Sequence, residues 1–138
     1  MGTNMISIGI VIAPYHAGVQ KMLKIIEEEV GKSNGVSVTI IKRVSGSFEI
    51  PLGVKKLLME ENIHGIITLG AIERGETGHG IALANAVFPA LIQLSLEFNK
   101  PVALGIIGPN ATKEQIDSRV NRVALDALKA LIGDLTVQ

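Results

Sequence analysis

The chain has 138 residues, a length typical of one domain, and we expect residues 1–138 to form a single domain around one core. Apolar residues make up 47% of the chain but aromatic residues only 3%, which favours parallel strands buried on both faces and excludes an aromatic platform for single-stranded nucleic acid. Thirteen basic residues balance thirteen acidic residues and cysteine is absent, so a large polyanion-binding field, disulfides and Cys-based zinc sites are excluded.

Strands and helices alternate along the chain. Short β-branched runs predict strands, and apolar residues at three- and four-residue spacing between charged residues predict amphipathic helices. The predicted strands cover 6–13, 36–41, 65–69 and 102–107. The predicted helices cover 19–31, 49–58, 81–98 and 112–133. The first apolar run is too short to span a bilayer and lacks a basic leader, so we expect a soluble, cytoplasmic protein without membrane or nucleic-acid partners.

The helix predicted over 81–98 differs from the others because it is apolar on nearly every side. A helix of this composition needs cover on more than one face. The sheet of a domain this small can hardly provide all of that cover. We therefore predict that part of this helix packs against another subunit.

Four alternations of strand and helix predict one parallel sheet with right-handed crossovers and helices on both faces. The expected fold is a single α/β domain, a flavodoxin-like three-layer structure with a four-stranded parallel sheet of order 2-1-3-4. Polar or glycine-containing segments follow the four strands at 14–16, 45–49, 70–79 and 108–110. Ligands of such sheets bind at the carboxyl edge, so these segments are the candidate site.

The segment 70–79 is long for a connection between a strand and a helix. Gly75 and Gly78 are predicted to let the backbone fold tightly and to leave N–H groups at a helix N-terminus, where a phosphate is favoured. His79 is the predicted acid/base group, because imidazole can both take and give a proton near neutral pH. The alternative is an ordinary polar surface loop.

Other residues at the strand ends can be interpreted in two ways, as ligand contacts or as structural residues. Tyr15 is the sole tyrosine and either stacks on a planar ring or covers the rim of the core, while His16 beside it is placed to line the same site. Glu49 either binds a ligand or favours the dipole of the helix that follows. Arg119 alone is typical of a solvated helix residue. Three histidines without supporting carboxylate spacing, His64 among them, predict no metal site.

Three segments in combination resemble the signatures of one family. They are Val-Ser-Gly-Ser-Phe-Glu-Ile-Pro at 44–51, Leu-Gly-Ala-Ile-Glu-Arg-Gly-Glu-Thr-Gly-His at 69–79 and Lys-Pro-Val-Ala-Leu-Gly at 100–105. Together they resemble 6,7-dimethyl-8-ribityllumazine synthase, and the Gly-Pro at 108–109 resembles its archaeal branch. The resemblance implies a transferase of riboflavin biosynthesis. Such an enzyme condenses 5-amino-6-ribitylaminouracil with 3,4-dihydroxy-2-butanone 4-phosphate, releases phosphate and water, and needs no cofactor.

The resemblance also implies a role for individual residues. The positions that would contact the aminouracil are Tyr15, Ser47, Phe48, Glu49, Ala71, Ile72, Glu73 and Leu104. The phosphate would be held by Gly75, Glu76 and Thr77, together with Arg119 of a neighbouring subunit, whose guanidinium offers a fork of donors. His79 would shuttle protons. The implied assembly is a homopentamer with active sites between subunits, and whether pentamers build a sixty-subunit icosahedral shell stays open.

The sequence differs from the family's usual pattern at some of these positions. His16 stands where Asn is usual, Glu73 where an aliphatic residue is usual, and Leu104 where Phe is frequent. The bend after Arg119 is shortened, which leaves open whether Arg122 replaces a family lysine. One alternative is therefore a non-catalytic ligand-binding or shell-forming relative. Another is a phosphosugar or nucleotide enzyme on a flavodoxin-like fold.

Overall fold

A computed structural model describes residues 5–136, and the outermost residues of the domain expected over 1–138 lie outside the described part. The strands are β1 (Ile6–Ile12), β2 (Val36–Arg43), β3 (Gly65–Glu73) and β4 (Val102–Ala111). The helices are α1 (Ala17–Gly31), α2 (Ile50–Leu58), α3 (His79–Phe98) and α4 (Lys113–Thr136), and a single 3-10 turn (Ser47–Glu49) precedes α2. Each helix and strand predicted from the sequence is present.

The four strands form one parallel sheet in the order β2-β1-β3-β4. Ile10 lies opposite Ile41 of β2 and Ile67 of β3. On the other side of β3, Ile67 lies opposite Ala103 of β4. The predicted α/β fold and strand order are confirmed. In this order β1 connects toward one edge of the sheet and β3 toward the other, so the topological switch point lies between β1 and β3.

The core has one half on each face of the sheet. Successive residues of a strand point to opposite faces. Ile10 accordingly packs with α1 and α4, whereas Val11 packs with α2 and α3. Among the described residues, the buried core consists of aliphatic side chains and contains no aromatic one. The composition of the sequence predicted this kind of core, with parallel strands covered on both faces.

Three strands are longer than the apolar runs that predicted them, β2 by two residues and β3 and β4 by four residues each. β3 continues to Glu73 and β4 to Ala111, and these two residues lie opposite each other. The N–H of Arg74 also donates a 2.7 Å hydrogen bond to the carbonyl oxygen of Ala111. Backbone pairing between β3 and β4 thus extends beyond the apolar run that predicted each strand. As a result, Ala71 and Ile72 lie on a strand and not in a loop.

The C-terminal helix also exceeds its predicted end at Gly133, since α4 continues to Thr136. A Cβ atom added at Gly133 would meet nothing within 4 Å, and the residue keeps a helical conformation. Glycine ends a helix when it adopts a left-handed conformation there. Gly133 does not, so the helix passes through it.

α3 leaves much of its apolar surface uncovered. Ala84, Val87 and Leu91 are buried against α2 and the sheet, but Ile92 and Leu96 are 63% and 71% exposed. Among the helices of residues 5–136, α3 is the one that is long and apolar enough to cross a membrane, judged by length and composition alone. Only 17% of its most apolar 18-residue stretch is buried. One such helix is weak evidence for a membrane span, because interface helices of folded domains have the same composition.

Candidate active site

A cleft of about 440 Å³ opens at the carboxyl edge of the sheet, at the switch point between β1 and β3. We call it the β1–β3 cleft. Its walls come from the segments after β1 and β2, from the end of β3 and from the first turns of α3. The lining residues are Ala13, Tyr15, His16, Ser45, Gly46, Ser47, Ala71, Ile72, Glu73, His79, Gly80 and Leu83.

Six of the residues that the resemblance assigns to the site meet in this cleft, and His16 lines it beside Tyr15 as predicted. The six are Tyr15, Ser47, Ala71, Ile72, Glu73 and His79. Ser47 and Ile72 are buried at its base, at 8% and 4% exposure, whereas the Tyr15 side chain is 84% exposed at the edge. The carboxyl ends of neighbouring parallel strands meet at one edge of a sheet, which explains why distant segments converge here.

His79 is the first residue of α3, and its backbone N–H donates a 3.3 Å hydrogen bond to the Thr77 hydroxyl oxygen. Gly78 precedes the helix without a side-chain cap. Within residues 5–136, no hydrogen bond or ion pair holds the imidazole of His79, which is exposed on the cleft wall. The ring is therefore accessible to a ligand, as an acid/base group must be.

Glycines bring the walls of the cleft close together. A Cβ atom at Gly80 would lie 3.1 Å from Ile72 Cγ2 and 3.4 Å from the Glu73 carbonyl oxygen. A Cβ atom at Gly70 would lie 3.4 Å from Ser47 Oγ. Without a side chain at these positions, the start of α3 and the 3-10 turn can approach the end of β3 closely.

The predicted steric role of Gly75 and Gly78 is wrong. A Cβ atom at either position would meet nothing within 4 Å, and neither residue adopts a positive φ. Gly78 has φ −82°, which any residue adopts. The surroundings of both glycines are open, so the chain does not need them for a tight turn.

His16 and Glu73 form a contact that the sequence interpretation missed. His16 Nε2 lies 3.4 Å from Glu73 Oε1, with the two side chains 18% and 42% exposed. The Tyr15 ring stands edge-on to the His16 ring at a centroid distance of 5.5 Å and an angle of 70°. His16 and Glu73 are both unusual residues for the resembled family. This pair of departures was the sequence signal that could have revealed their contact.

Some predicted residues lie outside the cleft of a single chain. Phe48 is 72% exposed beside it, and Glu49 lines an adjoining depression of about 210 Å³ with Lys42, Arg43 and Lys56. The carboxylate of Glu49 nevertheless points back toward the cleft. A Cβ atom on the cleft residue Gly46 would lie 3.2 Å from its Oε1.

Leu104 and Arg119 lie farther away. Leu104 is 49% exposed on the edge strand β4 and lines an apolar groove of about 180 Å³ with Leu96 and other residues of α3. Arg119 is exposed on α4, which covers the opposite face of the sheet from α3. The exposed loop residues Gly75, Glu76 and Thr77 precede α3 and do not line the cleft either.

A larger depression of about 520 Å³ lies on the α1 side of the sheet edge and includes Lys21, Lys24 and Arg43. None of the predicted site residues lines it. Size alone does not identify a site, whereas convergent polar groups and a candidate acid/base residue do. No cluster of three His, Cys, Asp or Glu residues suited to a metal ion occurs between residues 5 and 136.

The chain is similar to the proteins of one known family. The model of the 6,7-dimethyl-8-ribityllumazine synthase family matches residues 5–135. The chain belongs to this family. The synthase of Picrophilus torridus is 40% identical over 128 residues, which cover 93% of this chain and 93% of that protein. The synthases of Metallosphaera sedula and Saccharolobus solfataricus are 39% and 37% identical over 132 residues, covering 96% of this chain and 87% and 86% of their own.

Membership in the family confirms several predictions from the sequence. These relatives are archaeal, as the Gly-Pro segment indicated. The chain is a transferase of riboflavin biosynthesis that condenses the aminouracil with the phosphorylated butanone. The comparisons give no support to the non-catalytic alternative. None of the three relatives carries the name of a phosphosugar or nucleotide enzyme.

Proposed function

We propose that the β1–β3 cleft is the site where the chain condenses 5-amino-6-ribitylaminouracil with 3,4-dihydroxy-2-butanone 4-phosphate. One observation carries the assignment. Six residues that the resemblance assigns to the site converge on this cleft, and they come from three separate segments of the chain, 14–16, 45–49 and 70–79. The fold, and not the order of the sequence, brings these three segments together. The whole chain, residues 1–138, acts as one domain.

The aminouracil binds along the end of β3. β1 pairs with β3 only as far as Leu69, whereas β4 pairs with β3 as far as Glu73. On the side of β1, backbone groups of the last residues of β3 are therefore free to meet the polar edge of the pyrimidine. Tyr15 stacks on the ring from the edge of the cleft. Ser47, Phe48 and Glu49 contact the ribityl chain, with the Glu49 carboxylate accepting hydrogen bonds from its hydroxyls.

The phosphate of the second substrate binds before α3. The first N–H groups of a helix lack intrahelical partners and carry a positive partial charge, which favours an anion. Gly75, Glu76 and Thr77 are exposed there, and the space around Gly75 admits a close approach of the phosphate to the backbone. Arg119 of a neighbouring subunit completes this site with its guanidinium.

The active protein is a homo-oligomer, a pentamer or a shell of pentamers. The exposed apolar residues of α3 and the adjoining Leu104 support this assembly, because large uncovered apolar patches are typical of interfaces. A neighbour placed on this surface brings Leu104 to the ring pocket and Arg119 to the phosphate. The active sites then lie between subunits, in the cytoplasm, and work without a cofactor.

His79 moves protons during the reaction. The substrate amine attacks the ketone and an imine forms with loss of water. Elimination of phosphate then gives an enol, which tautomerises to a ketone. The ribitylamino nitrogen attacks this ketone, and a second water is lost as the second ring closes. Each step needs a proton taken from or given to carbon, nitrogen or oxygen, and a positioned imidazole contributes about 10²- to 10⁴-fold to such steps. Holding both substrates in one cleft supplies much of the remaining acceleration.

The assignment is tested by mixing both substrates with the purified protein and following the lumazine product by its absorbance. The matched control omits the phosphorylated butanone, so that slow decay of the aminouracil is subtracted. We expect product, and with it stoichiometric release of phosphate. A protein that binds the aminouracil at micromolar concentration but forms no product above the uncatalysed rate would refute the catalytic assignment.

A further inference from the structure

Three side chains form a continuous series at one wall of the β1–β3 cleft. Glu73 is the last residue of β3, and His16 immediately precedes α1. The 3.4 Å distance between Glu73 Oε1 and His16 Nε2 joins these two elements across the switch point of the sheet. The ring of His16 in turn supports the ring of Tyr15 from the side.

The contact restrains the His16 ring. The carboxylate oxygen 3.4 Å from Nε2 limits the orientations that the imidazole can adopt. The His16 side chain is 18% exposed, so its plane is also restricted by packing. Tyr15 by contrast is 84% exposed, and within the described residues its ring contacts only the His16 ring among aromatic partners.

We infer that Glu73 and His16 are positioning residues that hold Tyr15 in place for the pyrimidine of the aminouracil. The inference rests on the proposed binding mode, in which Tyr15 stacks on that ring. An aromatic side chain that is free to rotate loses conformational entropy when a ligand arrives, and fixing it in advance improves binding of that ligand. Glu73 therefore acts through Tyr15 and leaves the proton transfers to His79.

A purely structural role does not account for the contact. Partly exposed ion pairs contribute little to the stability of a fold. His16 provides no side-chain cap for α1, so its side chain is not needed to start the helix. The pair lies in the wall of the cleft, beside the position proposed for the bound ring.

The kinetic test compares Glu73→Leu with Glu73→Gln, which keeps an oxygen acceptor at the same length. We expect Glu73→Leu to raise the KM for the aminouracil by about fivefold, the size expected for one half-exposed charge-assisted contact, with kcat nearly unchanged. Glu73→Gln should restore the KM to within about twofold of the original value. The KM for the phosphorylated butanone should not move in either variant.

The matched control is Glu61→Leu, which removes an exposed carboxylate from the segment between α2 and β3 at the other edge of the sheet. A second test places Glu73→Leu in a Tyr15→Ala background. If Glu73 acts through Tyr15, it then has no further effect on the KM for the aminouracil. The inference would be overturned if Glu73→Leu raised the KM for the aminouracil further in the Tyr15→Ala background. It would also be overturned if Glu73→Gln and Glu73→Leu raised that KM equally.

Fluorescence gives a readout that does not depend on turnover. The chain has one tyrosine and no tryptophan, so its intrinsic emission reports on Tyr15 alone. Glu73→Leu should lower the tyrosine anisotropy, because the ring moves more freely, and Glu61→Leu should not. Unchanged anisotropy together with lumazine formation would refute this inference only. Absence of lumazine from the original protein would instead refute the proposed function and leave the fluorescence result standing.

Discussion

The ammonium nitrogen of Lys100 donates a 2.9 Å hydrogen bond to the carbonyl oxygen of Leu58, the last residue of α2. A second hydrogen bond of 2.9 Å reaches the carbonyl oxygen of Glu60. Carbonyl groups at a helix C-terminus lack intrahelical partners, and a lysine can supply them. The Lys-Pro-Val segment that marked the family thus closes the end of α2, at the sheet edge opposite the β1–β3 cleft.

Lys100→Met should therefore lower the free energy of unfolding by about 1–2 kcal/mol, because two charge-assisted hydrogen bonds are lost while the apolar stem is kept. Urea denaturation measures the change. Lys129→Met, on the exposed face of α4, is the matched control and should stay within about 0.5 kcal/mol. Equal stability of the two variants would contradict the assigned role of Lys100. The KM values of Lys100→Met should match the original.

The fold could be predicted because its local signals agree. β-branched runs and helical spacing gave the elements, and their strict alternation left few sheet topologies. The ends of β3 and β4 could not be predicted in the same way. Glu73 and Ala111 are paired by backbone contacts between distant segments. Glu73 is charged, and the segment 108–110 interrupts the apolar run before the buried Ala111.

The candidate site was predictable only in part. Tyr15, Ser47 and His79 follow different strands, and a parallel sheet brings such positions to one edge. The contact between His16 and Glu73 depends on β1 and β3 being neighbours and on two side-chain conformations, which no local pattern encodes. The open surroundings of Gly75 likewise depend on the arrangement of the whole chain, and composition alone suggested a tight turn there.

His79→Gln should lower kcat by about 10²- to 10⁴-fold, because glutamine keeps hydrogen-bonding capacity but cannot take up and return a proton near neutral pH. Both KM values should change little. Steady-state kinetics with both substrates measures the effect. The matched control is His64→Gln, since Nδ1 of His64 accepts a 2.9 Å hydrogen bond from the Ser7 N–H at the opposite edge of the sheet. If the kcat of His79→Gln stays within roughly threefold of the value for the original protein, general acid–base catalysis by His79 is excluded.

Arg119→Ala should raise the KM for the phosphorylated butanone by about tenfold or more, because the proposed guanidinium–phosphate contact would be lost. Arg122→Ala is the matched comparison. Arg122 Nε lies 3.7 Å from Asp126 Oδ2 one turn farther along α4, so a smaller effect is expected. Equal effects would mean that Arg122 shares the phosphate.

Mixing two defective variants tests whether the site is shared between subunits. When the phosphorylated butanone is kept well below its KM, His79→Gln and Arg119→Ala are each expected to have low activity alone. In co-refolded mixed rings, about one quarter of the sites should combine an intact His79 from one subunit with an intact Arg119 from its neighbour. Regained activity after mixing supports the shared site. A mixture no more active than its separately refolded components would place both residues in the same chain's site.

Leu96→Glu should break the proposed assembly. Leu96 is 71% exposed in a single chain and lines the apolar groove with Leu104. A carboxylate buried there without a partner would raise the dissociation constant of the assembly by about a hundredfold or more. Gln93→Glu adds the same charge three residues earlier at an exposed position and is the matched control. Sedimentation velocity should show a smaller particle for Leu96→Glu and an unchanged one for Gln93→Glu.

The activity of the dissociated Leu96→Glu variant tests whether the proposed assembly is needed for lumazine formation. Leu96 does not line the β1–β3 cleft, so Tyr15, Ser47 and His79 keep their positions within each chain. If Arg119 and Leu104 reach the cleft only from a neighbour, dissociated subunits should still bind the aminouracil weakly but should form no lumazine. Recovery of activity at high protein concentration would then follow reassembly. A Leu96→Glu monomer with full activity would place a complete site in one chain, and it would contradict both the shared phosphate site and the role of α3 in building it.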